Sequence, residues 1–333
     1  MPGTVQVLCT GAAGYIGHFL IKALQERGYD VWCLLGPGDD PRGLEGRDFH
    51  LVRGDITRPE SLAPLERPFD YVYHLAGCLS SLDAQRLFQV NVQGTANIVQ
   101  TILKSGVRPK RFLFTSSIAA VGPSGWHCPH TEDSCCHPVS AYGRSKVQVE
   151  QYLRSLAPSL PVTIVRLPMV YGPGLVGRGI FVFFKIINRR IRFDLGEMEV
   201  TLGFAEDIVR GMIMAAESPK ACGQTYFLGE AKVYRASELL RCIEEAIGKK
   251  ALRIPVPLNL IEAIFGGLIA VAPGQNQKKK LRDKIDELET FMKYRSWAAC
   301  VDKARKELGF EVETPFPEGA RRMARWYVRN GYL

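Results

Sequence analysis

The run VLCTGAAGYIG (Val7 to Gly17) constrains this chain more than any other stretch. A short β-prone run leads into three glycines, Gly11, Gly14 and Gly17, and from Tyr15 onward apolar residues recur at helical spacing. A strand that turns on glycine straight into a helix brings free N–H groups and the positive end of the helix dipole to the turn, which makes an anion cradle. The spacing G-x-x-G-x-x-G differs from the G-x-G-x-x-G fingerprint, but the demands are shared. One glycine turns the chain, one lets backbone approach a pyrophosphate, and one packs the helix closely on the sheet. Gly11, Gly14, Tyr15, Ile16 and Gly17 are therefore candidate dinucleotide-binding residues.

The rest of the first half continues in the same alternation. Strand candidates are Val5–Cys9, Val31–Leu35, Phe49–Arg53, Tyr71–Leu75, Arg111–Ser116 and Val162–Leu167, with helical patterns at Tyr15–Arg27, Phe88–Lys104 and Tyr142–Leu156. Alternating strand and helix predicts an α/β fold with a doubly wound parallel (Rossmann) sheet. After about Gly172 helical patterns dominate, and only Thr225–Gly229 reads as a further sheet strand. The expected organisation is an NAD(P)-binding domain over 1–170 plus about 200–229, with a smaller, mostly helical substrate-binding domain over 171–199 and 230–333.

Composition narrows the class. The net charge of +9 invites a nucleic-acid reading, but runs such as KKKLRDK (Lys278 to Lys284) lack interleaved aromatics, so solvated helix faces are expected and no nucleic acid. The start has no secretory pattern and the nine cysteines lack paired spacing, which fits reduced thiols and a cytoplasmic protein. The apolar stretch 258–272 holds Glu262 and is too short to span a bilayer, so a buried helix is expected, with peripheral membrane contact as the alternative. WHCPHTEDSCCH (Trp126 to His137) is rich in histidine and cysteine. It has no C-x-x-C pair, and Cys135 and Cys136 are adjacent, so no metal site is expected.

Residues after the second strand speak to the dinucleotide. An acid at the strand end would accept from the adenosine ribose, but Leu35 and Gly36 stand there. Asp39 and Asp40 follow and suit NAD(H), while Arg42 suits NADP(H); the balance favours NAD(H). Asp55 and Ile56, after the third strand, fall where a carboxylate can accept from the adenine amino group.

In order along the chain stand TGAAGYIG, GDIT, HLAG, NVQGT, FTSS, YGRSK and RLPMVYGPG. Together they resemble an extended member of the short-chain dehydrogenase/reductase superfamily, near the NAD-dependent epimerases/dehydratases, 3β-hydroxysteroid dehydrogenases and dihydroflavonol-type reductases. The resemblance implies that Tyr142 is the acid/base and Lys146 its partner. It implies that Ser117 holds the reacting oxygen, with Ser116 as fallback, and that Asn91 belongs to a proton relay. Leu75, Ala76, Gly77, Pro168 and Val170 are implied to line the cofactor alongside Tyr142 and Lys146. The chemistry agrees: a free phenol titrates near 10, and a cation one helical turn away favours the phenolate.

The resemblance also implies a homodimer paired through the helices Phe88–Lys104 and Tyr142–Leu156. Leu87, Val99, Val147 and Leu153 are expected on their outer faces. In GRGIFVFFKIINRRIRF, Phe181, Phe183 and Phe184 read as an apolar substrate lining or as core, whereas Arg189, Arg190 and Arg192 would suit a diphosphate. Phe204 stands where many relatives carry histidine. The expected activity is interconversion of a secondary alcohol and a ketone on an apolar small molecule. A nucleotide-sugar epimerase/dehydratase and a non-catalytic dinucleotide-binding scaffold are the rivals.

Overall fold

The computed structural model describes residues 4–333 except 45, 47, 80–82, 158, 178, 195 and 256–292. Seven parallel strands form one sheet. In chain order they are β1 (Gln6–Thr10), β2 (Asp30–Leu35), β3 (His50–Arg53), β4 (Tyr71–His74), β5 (Arg111–Ser117), β6 (Val162–Leu167) and a last strand, Thr225–Phe227. Their spatial order is β3-β2-β1-β4-β5-β6 and then Thr225–Phe227, so the sheet reverses between β1 and β4. In open sheets of this kind ligands bind in the crevice outside that switch point. All six strands expected in the first half are present within a residue or two.

Helices cover both faces, as near-continuous apolar strands require. Helix α1 (Tyr15–Glu26) buries Gly17, Leu20, Ile21 and Leu24, a stripe at helical spacing. It joins the helix Ala205–Glu217 in a core on one face, built around Val7, Cys9, Val165 and Met212. The opposite face packs Ile98, Val99 and Ile102 with Val149 and Leu153 against Leu8, Val72 and Phe112. Those residues come from α3 (Gly94–Lys104) and α5 (Ala141–Ser155). Leu87, Val99 and Leu153 are 3%, 1% and 0% exposed, so the outward apolar face expected for dimer contact is largely the chain's own core. Only Val147 of the four is partly exposed. The single helix expected over Phe88–Lys104 is instead α2 (Ala84–Phe88), a π-helical turn Gln89–Gln93, and α3.

The second half is less purely helical than its pattern suggests. Strand Glu199–Phe204 is buried at all six positions and pairs with Met169–Tyr171, Val233–Arg235 and Ser296–Trp297. Ile191–Asp194 pairs with Leu252–Pro255. Strands of two to six residues are too short to show a period, and Glu199–Phe204, the longest of them, is buried at every position and so shows no alternation. A second core holds Phe181, Phe184, Phe204, Leu240, Phe316 and Tyr327. The buried helix expected at 258–272, and with it the alternative of membrane contact, lies outside the described residues. Among the described residues no helix is long and apolar enough to cross a membrane.

Candidate active site

At the switch point the glycine turn has no room for side chains. Gly11 has φ +71°, and a Cβ there would lie 2.7 Å from Ala76 N in the chain leaving β4. A Cβ on Gly17 would lie 2.5 Å from the carbonyl oxygens of Gly11 and Ala12. The N-cap of α1 is Gly14, with no side-chain cap and no acid in the first turn. Tyr15 and Ile16 thus begin a helix whose positive end faces the crevice, a fit for a pyrophosphate. The Tyr15 ring turns away toward the loop after Met169–Tyr171, where a Cβ on Gly172 would lie 2.7 Å from its hydroxyl.

At the end of β2, which carries no acid of its own, the loop folds one back. Asp39 N donates to Gly36 O at 3.2 Å, closing a turn, and Gly36 N donates to Asp39 Oδ2 at 2.8 Å. The carboxylate absent from the end of β2 is carried back to it from three residues on. Asp40 follows on the same exposed turn, and the Arg42 side chain lies outside the described residues. Burial opposes ionisation of Asp55, but hydrogen bonds from Thr57 and the charges of Arg86 and Arg58 hold its carboxyl below the usual range. The Ile56 carbonyl accepts from Asn97 Nδ2 at 2.8 Å, which pins this loop to α3. If the Asp39 turn selects NAD(H), Gly36→Arg combined with Asp39→Ala should erode the preference for NAD(H) over NADP(H) by about tenfold or more. Fluorescence titration with both cofactors checks it, and an unchanged ratio would remove Asp39 from the site.

The helix turn that carries Tyr142 and Lys146 is built by close packing. Ser140 caps α5, its Oγ accepting from Gly143 N at 3.0 Å. Tyr142 and Lys146 follow one turn apart, with Lys146 Nζ 5.7 Å from the Tyr142 ring centroid and 4.7 Å from that of Phe114. Lys146 is 5% exposed, and its Nζ donates to Thr115 O at 2.8 Å. Gly77 borders it: a Cβ there would lie 3.6 Å from Lys146 Nζ and 3.1 Å from Asn91 Oδ1. Leu75 and Ala76 lead into that position from β4. Pro168 is buried against Gly229, whose Cβ would lie 3.0 Å from Pro168 Cγ, and Val170 is half-buried just beyond it.

Burial pushes the Lys146 amine from 10.5 down to about 8, with the Glu150 carboxylate opposing. Below about 8 the folded protein therefore carries an ammonium its interior disfavours. Between about 8 and 10.5 the folded amine is neutral while the unfolded one stays protonated, so stability rises with pH in that window. Relative to Lys146→Met, the wild type should gain stability from pH 8 to 10.5, read by denaturant unfolding at both ends. A pH-independent difference would contradict the assignment.

The neighbouring serines divide cleanly. Ser117 Oγ accepts from Ala119 N at 3.1 Å, capping the short helix α4 (Ile118–Val121) at the C-terminal edge of the sheet. Ser116, the fallback, is 2% exposed and points the other way, donating to Glu150 Oε1 at 2.6 Å. Glu150 is also held by Arg166 Nη2 at 2.8 Å and Nε at 3.0 Å, a buried ion pair tying α5 to β6. Asn91 sits inside the π-helical turn, 2% exposed. Its Oδ1 accepts from Cys78 N at 2.7 Å, and its Nδ2 donates to Cys78 O at 3.0 Å and Ser145 Oγ at 2.9 Å. It clamps the loop after β4 to α5. Sequence reasoning passed over Gly143, Ser145 and Glu150, although YGRSK contains the first two. Their polarity and size are ordinary, and only their burial singles them out.

The Cys/His loop disperses. His127 Nδ1 pairs with Glu199 at 2.5 Å, His130 Nε2 bonds Pro123 O at 3.0 Å, and Cys136 Sγ accepts from Arg166 at 3.4 Å. Phe181 packs edge-on against Tyr327 and Tyr332, and Phe184 against Tyr327, so these two serve the second core rather than a cavity. Phe204 is likewise in that core. Arg192 bonds Glu244 at 3.3 Å, whereas Arg189 and Arg190 are exposed.

The NAD dependent epimerase/dehydratase family matches residues 7–229. Sterol demethylase protein B of Methylococcus capsulatus is 30% identical over 77% of this chain and 79% of its own. UDP-glucose 4-epimerase of Vibrio cholerae is 27% identical over 97% of this chain and 95% of its own. The structure of the Thermotoga maritima UDP-glucose 4-epimerase with UDP-glucose superposes with a TM-score of 0.78 at 22% identity, over 97% of this chain and 99% of that one.

Proposed function

This chain belongs to the NAD dependent epimerase/dehydratase family, and from that premise we propose that it interconverts a secondary alcohol and a ketone on an apolar small molecule, using NAD(H). The observation that carries the reading is the buried Lys146 ammonium one turn below Tyr142, with Ser117 at the adjacent strand end. In the oxidative direction Tyr142 Oη takes the substrate's hydroxyl proton; NAD, which the glycine turn and Lys146 would hold, would supply the hydride acceptor for the carbinol carbon. Lys146 favours the phenolate by its charge, and Ser117 Oγ donates to the substrate oxygen. Asn91 and Ser145 hold the helix turn that carries both groups. A binding scaffold has no need of a buried lysine so placed.

Two observations support an apolar substrate. Arg192, one of three candidate cations for a diphosphate, is already bonded to Glu244. The relative at 30% identity is named for a sterol reaction. A second reading, nucleotide-sugar epimerisation with NAD recycled within a turnover, draws on the 27% identity to a UDP-glucose 4-epimerase; exposed Arg189 and Arg190 would then serve the diphosphate. Hydroxysteroids and other apolar secondary alcohols, incubated with NAD+, should yield NADH in proportion to ketone. UDP-glucose should be left unchanged. Activity confined to UDP- or dTDP-sugars, without NADH accumulating, would reverse the choice.

A further inference from the structure

A chain of buried polar groups runs from the glycine turn to the acid/base helix, and His74 stands at its middle. Thr10, His74, Thr95, Asn91 and Ser145 are each 0–2% exposed. Ala76 N donates to Thr10 Oγ1 at 3.2 Å, and Thr10 Oγ1 lies 2.7 Å from His74 Nδ1. His74 Nε2 lies 2.9 Å from Thr95 Oγ1, which donates to Asn91 O at 2.6 Å. Asn91 Nδ2 donates to Ser145 Oγ at 2.9 Å, and Ser145 Oγ donates to Tyr142 O at 2.7 Å.

The hydroxyls settle the direction. Thr95 has spent its only proton on the Asn91 carbonyl, so it must accept from His74 Nε2–H. Nδ1 is then the bare nitrogen and accepts from Thr10, which in turn accepts from Ala76. Only the neutral Nε2–H ring satisfies every partner. Burial pushes His74 down to about 3, and Lys146 adds to the effect, so the ring stays neutral across the working range.

We propose that His74 is a positioning residue that joins the dinucleotide turn, through Thr95 and Asn91, to the helix turn carrying Tyr142 and Lys146. It touches neither the reacting atoms nor the cofactor. Its work is to hold Asn91 inside the π-helical turn, and hence Ser145 and the Tyr142 carbonyl in register with Gly11. The proposal rests on the reading of Tyr142 and Lys146 as the acid/base pair.

The readout is the titration midpoint of Lys146, followed by NMR in isotopically labelled full-length protein. The groups facing that amine are His74 from β4, the Thr115 carbonyl and Phe114 ring from β5, and Tyr142 and Glu150 from its own helix. His74→Phe keeps the ring against Phe112 and Phe114 but cuts both bonds. Thr95→Val cuts only the link toward Asn91. Both should admit water beside Lys146 and raise its midpoint by about one unit. His74→Phe should also weaken NADH binding several-fold, because Thr10 loses its partner, whereas Thr95→Val should not. His74→Gln, which offers one acceptor and one donor, should bring the midpoint back toward wild type. Lower thermal stability in both variants, with the Lys146 midpoint and NADH affinity unmoved, would overturn the proposal and leave His74 a core residue. Neither readout needs a substrate, so failure to oxidise any alcohol would sink the proposed reaction without touching this test.

Discussion

Replacing Tyr142 by phenylalanine should lower turnover by about 10²- to 10⁴-fold, the span expected for loss of a positioned acid/base. NADH affinity should change little. The ring that packs on α5 remains, Lys146 keeps its bond to the Thr115 carbonyl at 2.8 Å, and the glycine turn is untouched. Loss in kcat without loss in cofactor binding is the signature of a group that acts only as the proton moves. Steady-state kinetics on the active substrate and fluorescence titration with NADH measure the two halves. Turnover within a few-fold of wild type would transfer the role to another group.

Gly143→Ala should be nearly as damaging, although Gly143 touches no substrate. A Cβ at this position would lie 2.1 Å from the carbonyl oxygen of Ala119 and 3.0 Å from Pro138 Cβ. Neither neighbour is a flexible side-chain tip. Ser117 Oγ accepts from the N–H of the same residue, Ala119, so pushing Ala119 away moves Ser117 relative to Tyr142. A displacement near 1 Å in such a site costs about 10²-fold in rate, and overpacking adds about 1–3 kcal/mol of lost stability. Arg144→Ala, one residue along and exposed, should leave both unchanged. If Gly143→Ala keeps wild-type kcat while only its melting temperature falls, the α4–α5 contact does not set the site.

The small residues around Tyr142 and Lys146 thus have a packing reason. Gly143 lets α5 settle on α4, and buried Ser145 closes the link from Asn91 to Tyr142. Both stood in view in YGRSK, but nothing in their spacing separates a glycine needed for contact from one tolerated at a helix start. The same limit explains the serines. Ser116 and Ser117 are adjacent on a strand, so their side chains leave on opposite faces, and which face holds the site depends on how the sheet is covered.

What the sequence determined by itself is whatever is local in cause. The strand–turn–helix at Val7–Gly17 follows from apolar spacing and glycine, and so do the parallel alternation through Leu167 and the i, i+4 placement of Tyr142 and Lys146. The tertiary structure alone decided which groups meet. It turned Leu87, Val99 and Leu153 into the chain's own core. It also spent Phe181 and Phe184 on the second core and aligned His74 with Thr10 and Thr95 across more than twenty residues each way. Periodicity reports that a residue is buried on some face. Which neighbour waits there is set by the pairing of distant strands and helices, and a single chain read in order carries no period for that.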